Sequence, residues 1–141
     1  MSPNDRESHS YLQDVRPREY AVLQAVAVEN FRRGCSCIIA APYVHELRSR
    51  DWYEQAVQGM KALGAEPAMI WVRCDADKML LHLTSRGAPR DDWKLSHWAE
   101  YLEGAEPDRG PAQCDAEIDN SRDLGPPLIS QVTRLADVIC R

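Results

Sequence analysis

Arg86 and Arg90 stand four residues apart in Ser-Arg-Gly-Ala-Pro-Arg-Asp-Asp-Trp-Lys, between two stretches of helical spacing. A guanidinium is planar, permanently charged and rich in donors, which suits it to charged oxygens such as those of a phosphoryl group. The competing account is a pair of solvated arginines beside a helix C-terminus, where positive charge is favoured in any protein. Lys94 either assists them or lies on a helix surface. Asp91 either organises the turn or serves as a plain N-cap for the next helix.

Two further groups have the residue types for binding. Tyr43, His45 and Arg48 follow an apolar run, Cys35 to Ala41. In open α/β folds ligands bind beyond the C-terminal ends of strands, so these three are candidates for contact with a small substrate. A histidine in such a place is also a common surface residue. Asp119-Asn120-Ser121 follows a second short apolar stretch, and its other reading is an Asx turn. Cys35 and Cys37 alternate to one side of a strand. Cys-x-Cys binds metal when a second pair or a histidine at ligand spacing follows, and neither does here. Buried thiols are the alternative. His82 and His97 form no recognisable metal motif. The four tryptophans, Trp52, Trp71, Trp93 and Trp98, read as packing residues, with Trp93 and Trp98 placed to seat the arginine-bearing turn.

The elements that must hold these groups follow from periodicity. Pro17 suits the first turn of a helix whose apolar face is Tyr20, Leu23, Ala27 and Phe31, with Gly34 as its stop. Ile38 and Ile39 make Cys35–Ala41 a strand of the kind buried on both faces in parallel sheets. Asp51 with Glu54 predicts a capping box for a helix through Leu63, which Gly64 ends. Ala68 to Val72 is the second strand. Asp75 caps a helix that Gly87 stops, and Pro89 and Asp91 open another with Leu95, Trp98 and Leu102 on one side. Glu103 to Gln113 is a loop. Ala116 to Asp119 is a third, short strand, and Pro126-Pro127 starts a last helix with Leu128, Val132, Leu135 and Ile139 at helical spacing. Strands separated by amphipathic helices predict right-handed crossovers and a parallel α/β sheet with helices on both faces.

Composition narrows the function. The 141 residues suit one domain, with 44% hydrophobic and 28% charged residues, which argues against a disordered chain. The net charge is −5, and residues 91–123 hold ten acidic against three basic side chains. Such a patch repels phosphate backbones, so no nucleic-acid partner is expected. Five scattered cysteines predict reduced thiols. Met1 to Gln13 has no apolar leader run and no apolar stretch approaches the roughly 20 residues of a membrane span, so the expectation is a cytoplasmic protein with no membrane partner.

Ile70-Trp71-Val72-Arg73-Cys74-Asp75, with the helix that ends at Arg86 and the turn to Lys94, resembles the second half of small P-loop kinases. These are the bacterial group of AAA-family ATPases and predicted small-molecule kinases. In that family a strand leads by an acidic turn into a helix that delivers an arginine-bearing lid, Arg-Gly-x-x-Arg-Asp. A strand ending in Asp-Asn-Ser and a Pro-led helix follow, as Asp119-Asn120-Ser121 and Pro126-Pro127 do here. Ala41-Pro42-Tyr43 is similar to the end of another family strand.

The resemblance covers about residues 16–140. It implies a P-loop NTPase-like fold, ATP with Mg²⁺ as cofactors of the complete fold, and phosphoryl transfer to a small-molecule acceptor. Arg86 and Arg90 would then be catalytic and cofactor-binding lid residues, Asn120 would lie near the adenine, and Tyr43, His45 and Arg48 would meet the acceptor. The departures are as informative. The three lysines, Lys61, Lys78 and Lys94, stand in no Gly-Lys-Ser/Thr, so the 141 residues contain no P-loop. Ala40-Ala41 supplies no carboxylate where a Mg²⁺-binding strand often ends in Asp. The expectation is a flexible arm over residues 1–15 and an N-terminally truncated P-loop kinase-like domain over 16–141 with its lid at 86–94, inactive alone. The alternatives are a non-catalytic remnant acting as an interaction module and a chain completed by a partner. An uncovered sheet edge favours association with a second copy or a complementing polypeptide.

Overall fold

The computed structural model describes residues 8–121 and 126–139. Eight regular elements follow one another: α1 (Arg16–Arg32), α2 (Arg50–Lys61), β1 (Ile70–Arg73), α3 (Ala76–Arg86), α4 (Asp92–Ser96), α5 (Trp98–Ala105), β2 (Ala116–Asp119) and α6 (Leu128–Ile139). The expected arm is helical where it is described. Tyr11–Val15 forms one π-helical turn that runs into α1, and the buried Tyr11 donates its hydroxyl to Glu19 Oε2 at 2.6 Å. Residues 1–7 lie outside the described residues.

The parallel α/β reading holds for β1 and β2, which pair in parallel from Ile70 with Ala116 to Arg73 with Asp119. It fails for Cys35–Ala41. That segment forms no regular element and joins no sheet, and the described sheet has two strands. Strand propensity was present there, but a strand also needs a neighbour for its backbone groups, and the described residues provide none.

Capping explains most boundaries. The Asp75 carboxylate accepts the Lys78 N–H at 2.8 Å and starts α3. Gly87, at φ 57°, ends it with its N–H on Leu83 O. That left-handed backbone favours glycine. For α2 the expected cap Asp51 is displaced by Ser49, whose Oγ accepts the Trp52 N–H at 3.2 Å, and Glu54 instead pairs with Arg50 at 2.9 Å. The single helix expected after Pro89 is two, broken at His97. Ser96 causes much of this, because its hydroxyl donates to Asp92 O and Trp93 O and competes for backbone carbonyls.

The core is small. Among the described residues the buried apolar side chains are Tyr11, Tyr20, Ala27, Tyr53, Leu83 and Ile118. Gly110 lets the returning loop lie on Trp71, where a Cβ would stand 3.2 Å from the indole ring. No described helix is long and apolar enough to cross a membrane.

Two measurements follow. Asp75→Ala should cost about 1 kcal/mol of stability through the lost cap, read as a lower urea midpoint at unchanged slope. Burial is the main cause that raises the phenols of Tyr20, Tyr43 and Tyr53 above their ordinary value of 10.0, and for Tyr53 the facing Asp115 carboxylate adds to it. The neutral phenol is therefore favoured in the fold. That contribution is full below about pH 10 and is lost as pH rises through the higher folded values. Tyr53→Phe should flatten the alkaline fall in a chemical-denaturation series from pH 8 to 11.

Candidate functional site

The ends of β1 and β2 are stitched together by the residues that the sequence marked. Asn120 N–H donates to Arg73 O at 2.9 Å, and the Asp75 N–H donates to Ser121 Oγ at 2.8 Å. The Cys74 thiol reaches Asn120 O at 3.8 Å. Ser121 N–H donates to Asp119 Oδ1 at 2.8 Å, which is the Asx turn. Burial pushes the Cys74 thiol up, with the Asp75 and Asp119 carboxylates adding to it, so it stays protonated at neutral pH. The backbone of Asn120 is engaged in this stitch, a structural task beside the adenine-side role that the resemblance implied.

Beyond α3 the chain turns sharply, with a single 3-10 turn at Pro89–Asp91 closed by the Asp91 N–H on Ala88 O at 2.8 Å. Asp91 is only 1% exposed, yet its side chain makes no cap bond to α4. Instead Arg86 donates to Asp91 Oδ2 twice, through Nε at 2.8 Å and Nη2 at 2.6 Å. Of the two readings of Asp91, the structure supports the organiser of the turn. Arg86 is thus committed to a partner on its inner side, whereas Arg90 is exposed and makes no ion pair among the described residues. The aromatic residues after the turn pair with near neighbours in the chain. Trp93 stacks on His97 at 4.9 Å, Trp98 meets Tyr101 at 5.6 Å, and Lys94 Nζ lies 5.1 Å from the Tyr101 ring centre.

The Tyr43–Arg48 loop has a different character from the one the sequence suggested. Tyr43 adopts φ 45°, strained for a bulky residue. Its ring lies 4.3 Å from Tyr20 and 5.3 Å from Trp52, and its N–H donates to Tyr20 Oη at 3.2 Å. Arg48 is a clamp. It donates to Glu106 Oε2 and to Ala105 O, both at 2.7 Å, and so covers the C-terminal end of α5. His45 remains exposed. Glu46 Oε2 is buried without a hydrogen-bond partner among the described residues. Sequence reasoning missed Glu46 and Glu106, since neither belongs to a motif and Arg48 and Glu106 lie 58 residues apart.

No described hydrogen bond or ion pair joins Arg86 or Arg90 to Asn120 or to the Tyr43–Arg48 loop. The described residues line open hollows elsewhere. One of about 380 Å³ lies between Ala76, Leu102 and Glu106–Arg109, and one of about 310 Å³ lies on α1 around Val26. None of the predicted site residues lines either. Among the described residues no group of three His, Cys, Asp or Glu side chains is arranged to hold a metal.

The split between the arginines has a measurable consequence. Arg86→Ala leaves the Asp91 carboxylate buried and unpaired, so it should cost about 3 kcal/mol, and Asp91→Ala about 1.5–3 kcal/mol. Arg90→Ala should stay within about 0.5 kcal/mol. Urea unfolding of the three variants gives the order directly.

Comparison with known proteins agrees with the resemblance. The family model described as an AAA domain matches residues 1–107. No curated protein and no solved structure matches the chain. The match takes in β1, α3, the pair of Arg86 with the buried Asp91, and Arg90. Matched over most of its length by that model, the chain belongs to the AAA-domain family, with a P-loop kinase-like character.

Proposed function

We propose that this chain is the lid-bearing part of an ATP-dependent, P-loop kinase-like phosphotransferase, completed by a phosphate-binding segment on another stretch of polypeptide. The observation that carries the reading is the passage from β1 through the Asp75-capped α3 to a turn in which Asp91 holds Arg86 and Arg90 is left exposed. A transferring phosphoryl group spreads negative charge over its equatorial oxygens, and a positioned guanidinium offsets it. In this arrangement Arg90 supplies that charge. Arg86 and Asp91 hold the turn, so that Arg90 need not be ordered at the moment of reaction.

A small-molecule acceptor would meet the Tyr43–Arg48 loop. His45 is its accessible polar group, the Tyr43 ring forms a wall, and Arg48 fixes the loop through Glu106. Amides and a lysine to cradle the β- and γ-phosphates are what the 141 residues lack. The second reading, a non-catalytic interaction module, is favoured by one observation. Ile38, in the segment that reads as a buried strand, is 96% exposed.

Calorimetric titration of the purified chain with Mg·ATP tests the first reading. No saturable binding tighter than about 1 mM is expected from the chain alone. Micromolar binding would overturn the claim that the site is incomplete. With a polypeptide that carries Gly-x-x-x-x-Gly-Lys-Ser/Thr added, phosphoryl transfer should appear, and Arg90→Ala should lower its rate at least about 100-fold. A fully active Arg90→Ala complex would remove Arg90 from the chemistry. The DNA preceding the Met1 codon, translated in all frames, identifies the first segment to try.

A further inference from the structure

We propose that Arg48 and Glu106 form a latch that ties the position of the Arg90-bearing turn to the Tyr43–Arg48 loop. The proposal rests on the reading above, in which the loop meets the acceptor and Arg90 meets the phosphoryl group. It adds that the two are set together, with Arg48 and Glu106 as positioning residues.

The first observation is backbone strain. Among the described residues, Tyr43 at φ 45° and Glu106 at φ 40° are the two residues other than glycine with positive φ. They stand at the two ends of the latch. Leu47 N–H donates to Tyr43 O at 2.9 Å and closes the loop that ends in Arg48. Glu106 directly follows α5, and its N–H donates to Leu102 O at 2.8 Å. Glycine fits that left-handed place best. Glutamate offers this backbone nothing that glycine lacks, so its use there lies in the carboxylate.

The second observation is what that carboxylate holds. Oε2 accepts Arg48 Nη1 at 2.7 Å, while Nη2 of the same guanidinium donates to Ala105 O at 2.7 Å. The Arg48 side chain is 14% exposed, so the pair is screened less than a surface pair. Arg109 Nη1 reaches the same Oε2 at 3.2 Å and holds the carboxylate from another side. Ala112 N–H donates to Leu47 O at 2.8 Å, a backbone bond between the same two segments.

The third observation is the path from the latch to the turn. α5 has eight residues, too few to be a stable helix unaided. One of its ends is the break at His97, with φ −123° and ψ 42°, and the other is the latch. Lys94 Nζ, 5.1 Å from the Tyr101 ring centre, joins α4 to α5, and Trp93 stacks on His97 across the break. α4 begins at Asp92, two residues after Arg90. Packed contacts of this kind carry a displacement from one end to the other. The latch thus reaches the turn through α5 and α4, without a direct bond from the loop to Arg90.

Hydrogen exchange of the full chain tests this. Three reporters lie on the path: Asp91 N–H on Ala88 O, His97 N–H on Trp93 O and Tyr101 N–H on His97 O. Arg48→Ala should speed their exchange about tenfold or more, with the amides of β1 and α3 unchanged. Glu106→Gly should speed the same three amides, although glycine suits that backbone better, which separates the lost carboxylate from a damaged fold. The double variant should exchange no faster than Arg48→Ala, because the carboxylate acts through Arg48. Faster exchange confined to residues 43–49 and 105–112 overturns the proposal, since the latch would then be local. An equal rise in β1 and α3 also overturns it, since the pair would then serve general stability. The measurement uses no nucleotide, so a failed latch leaves the phosphotransfer reading standing, and a failed transfer assay leaves the latch.

Discussion

Four parallel residue pairs, Ile70 to Arg73 against Ala116 to Asp119, are the constraint on which the described structure depends. A two-stranded parallel sheet is weak by itself, and here side chains extend it at both ends. At the start, the Asp115 N–H donates to Met69 O at 2.8 Å while the Asp115 carboxylate accepts the Met69 N–H at 2.7 Å. At the finish, Asn120 and Ser121 continue the register onto Arg73 and Asp75. Because Asp75 also caps α3, the sheet fixes the origin of that helix. The helix then fixes the place of Arg86, eleven residues further on. The position of the arginine-bearing turn is thus inherited from a ladder of 46-residue contacts, not from the turn's own sequence.

Within the turn, the two arginines differ in their partners. Arg86 gives up its Nε and one Nη to a carboxylate that is almost wholly buried. A buried carboxylate without that partner would carry a desolvation cost of several kcal/mol, so the pair exists together or not at all. Arg90, on the same short stretch, bears none of this burden. The spacing Arg-Gly-x-x-Arg-Asp thus gives one arginine a buried partner and leaves the other exposed.

What could be read in the sequence was what depends on neighbours in the chain. Asp75 and Gly87 bound α3, Gly34 stops α1, and the strands at 70–73 and 116–119 lie within two residues of their expected limits. These signals are local: a cap, a left-handed glycine, an apolar run. The failures needed knowledge of distant groups. Ser49 takes the cap of α2 because Asp51 already lies inside the first turn. Arg48 is claimed by Glu106 and Ala105, and nothing near Arg48 announces it. Asp91 stands where a cap belongs, but the cap bond is not made and its carboxylate turns to Arg86. Gln131 mimics a strand's amide against Asp119 from a helix twelve residues away, a role open to any exposed glutamine on paper.

Cys35–Ala41 is the most informative of these failures, because its local signal was read correctly and still gave no strand. β-propensity describes a side chain that fits a half-buried pleated surface, and such a surface requires other strands. The family match spans this segment together with β1 and α3. A sequence suited to burial, yet left 96% exposed at Ile38, meets no neighbouring strand among the described residues. The small core follows from the same shortage of strands among the described residues, since apolar faces that meet no strand on one side have nothing there to pack against.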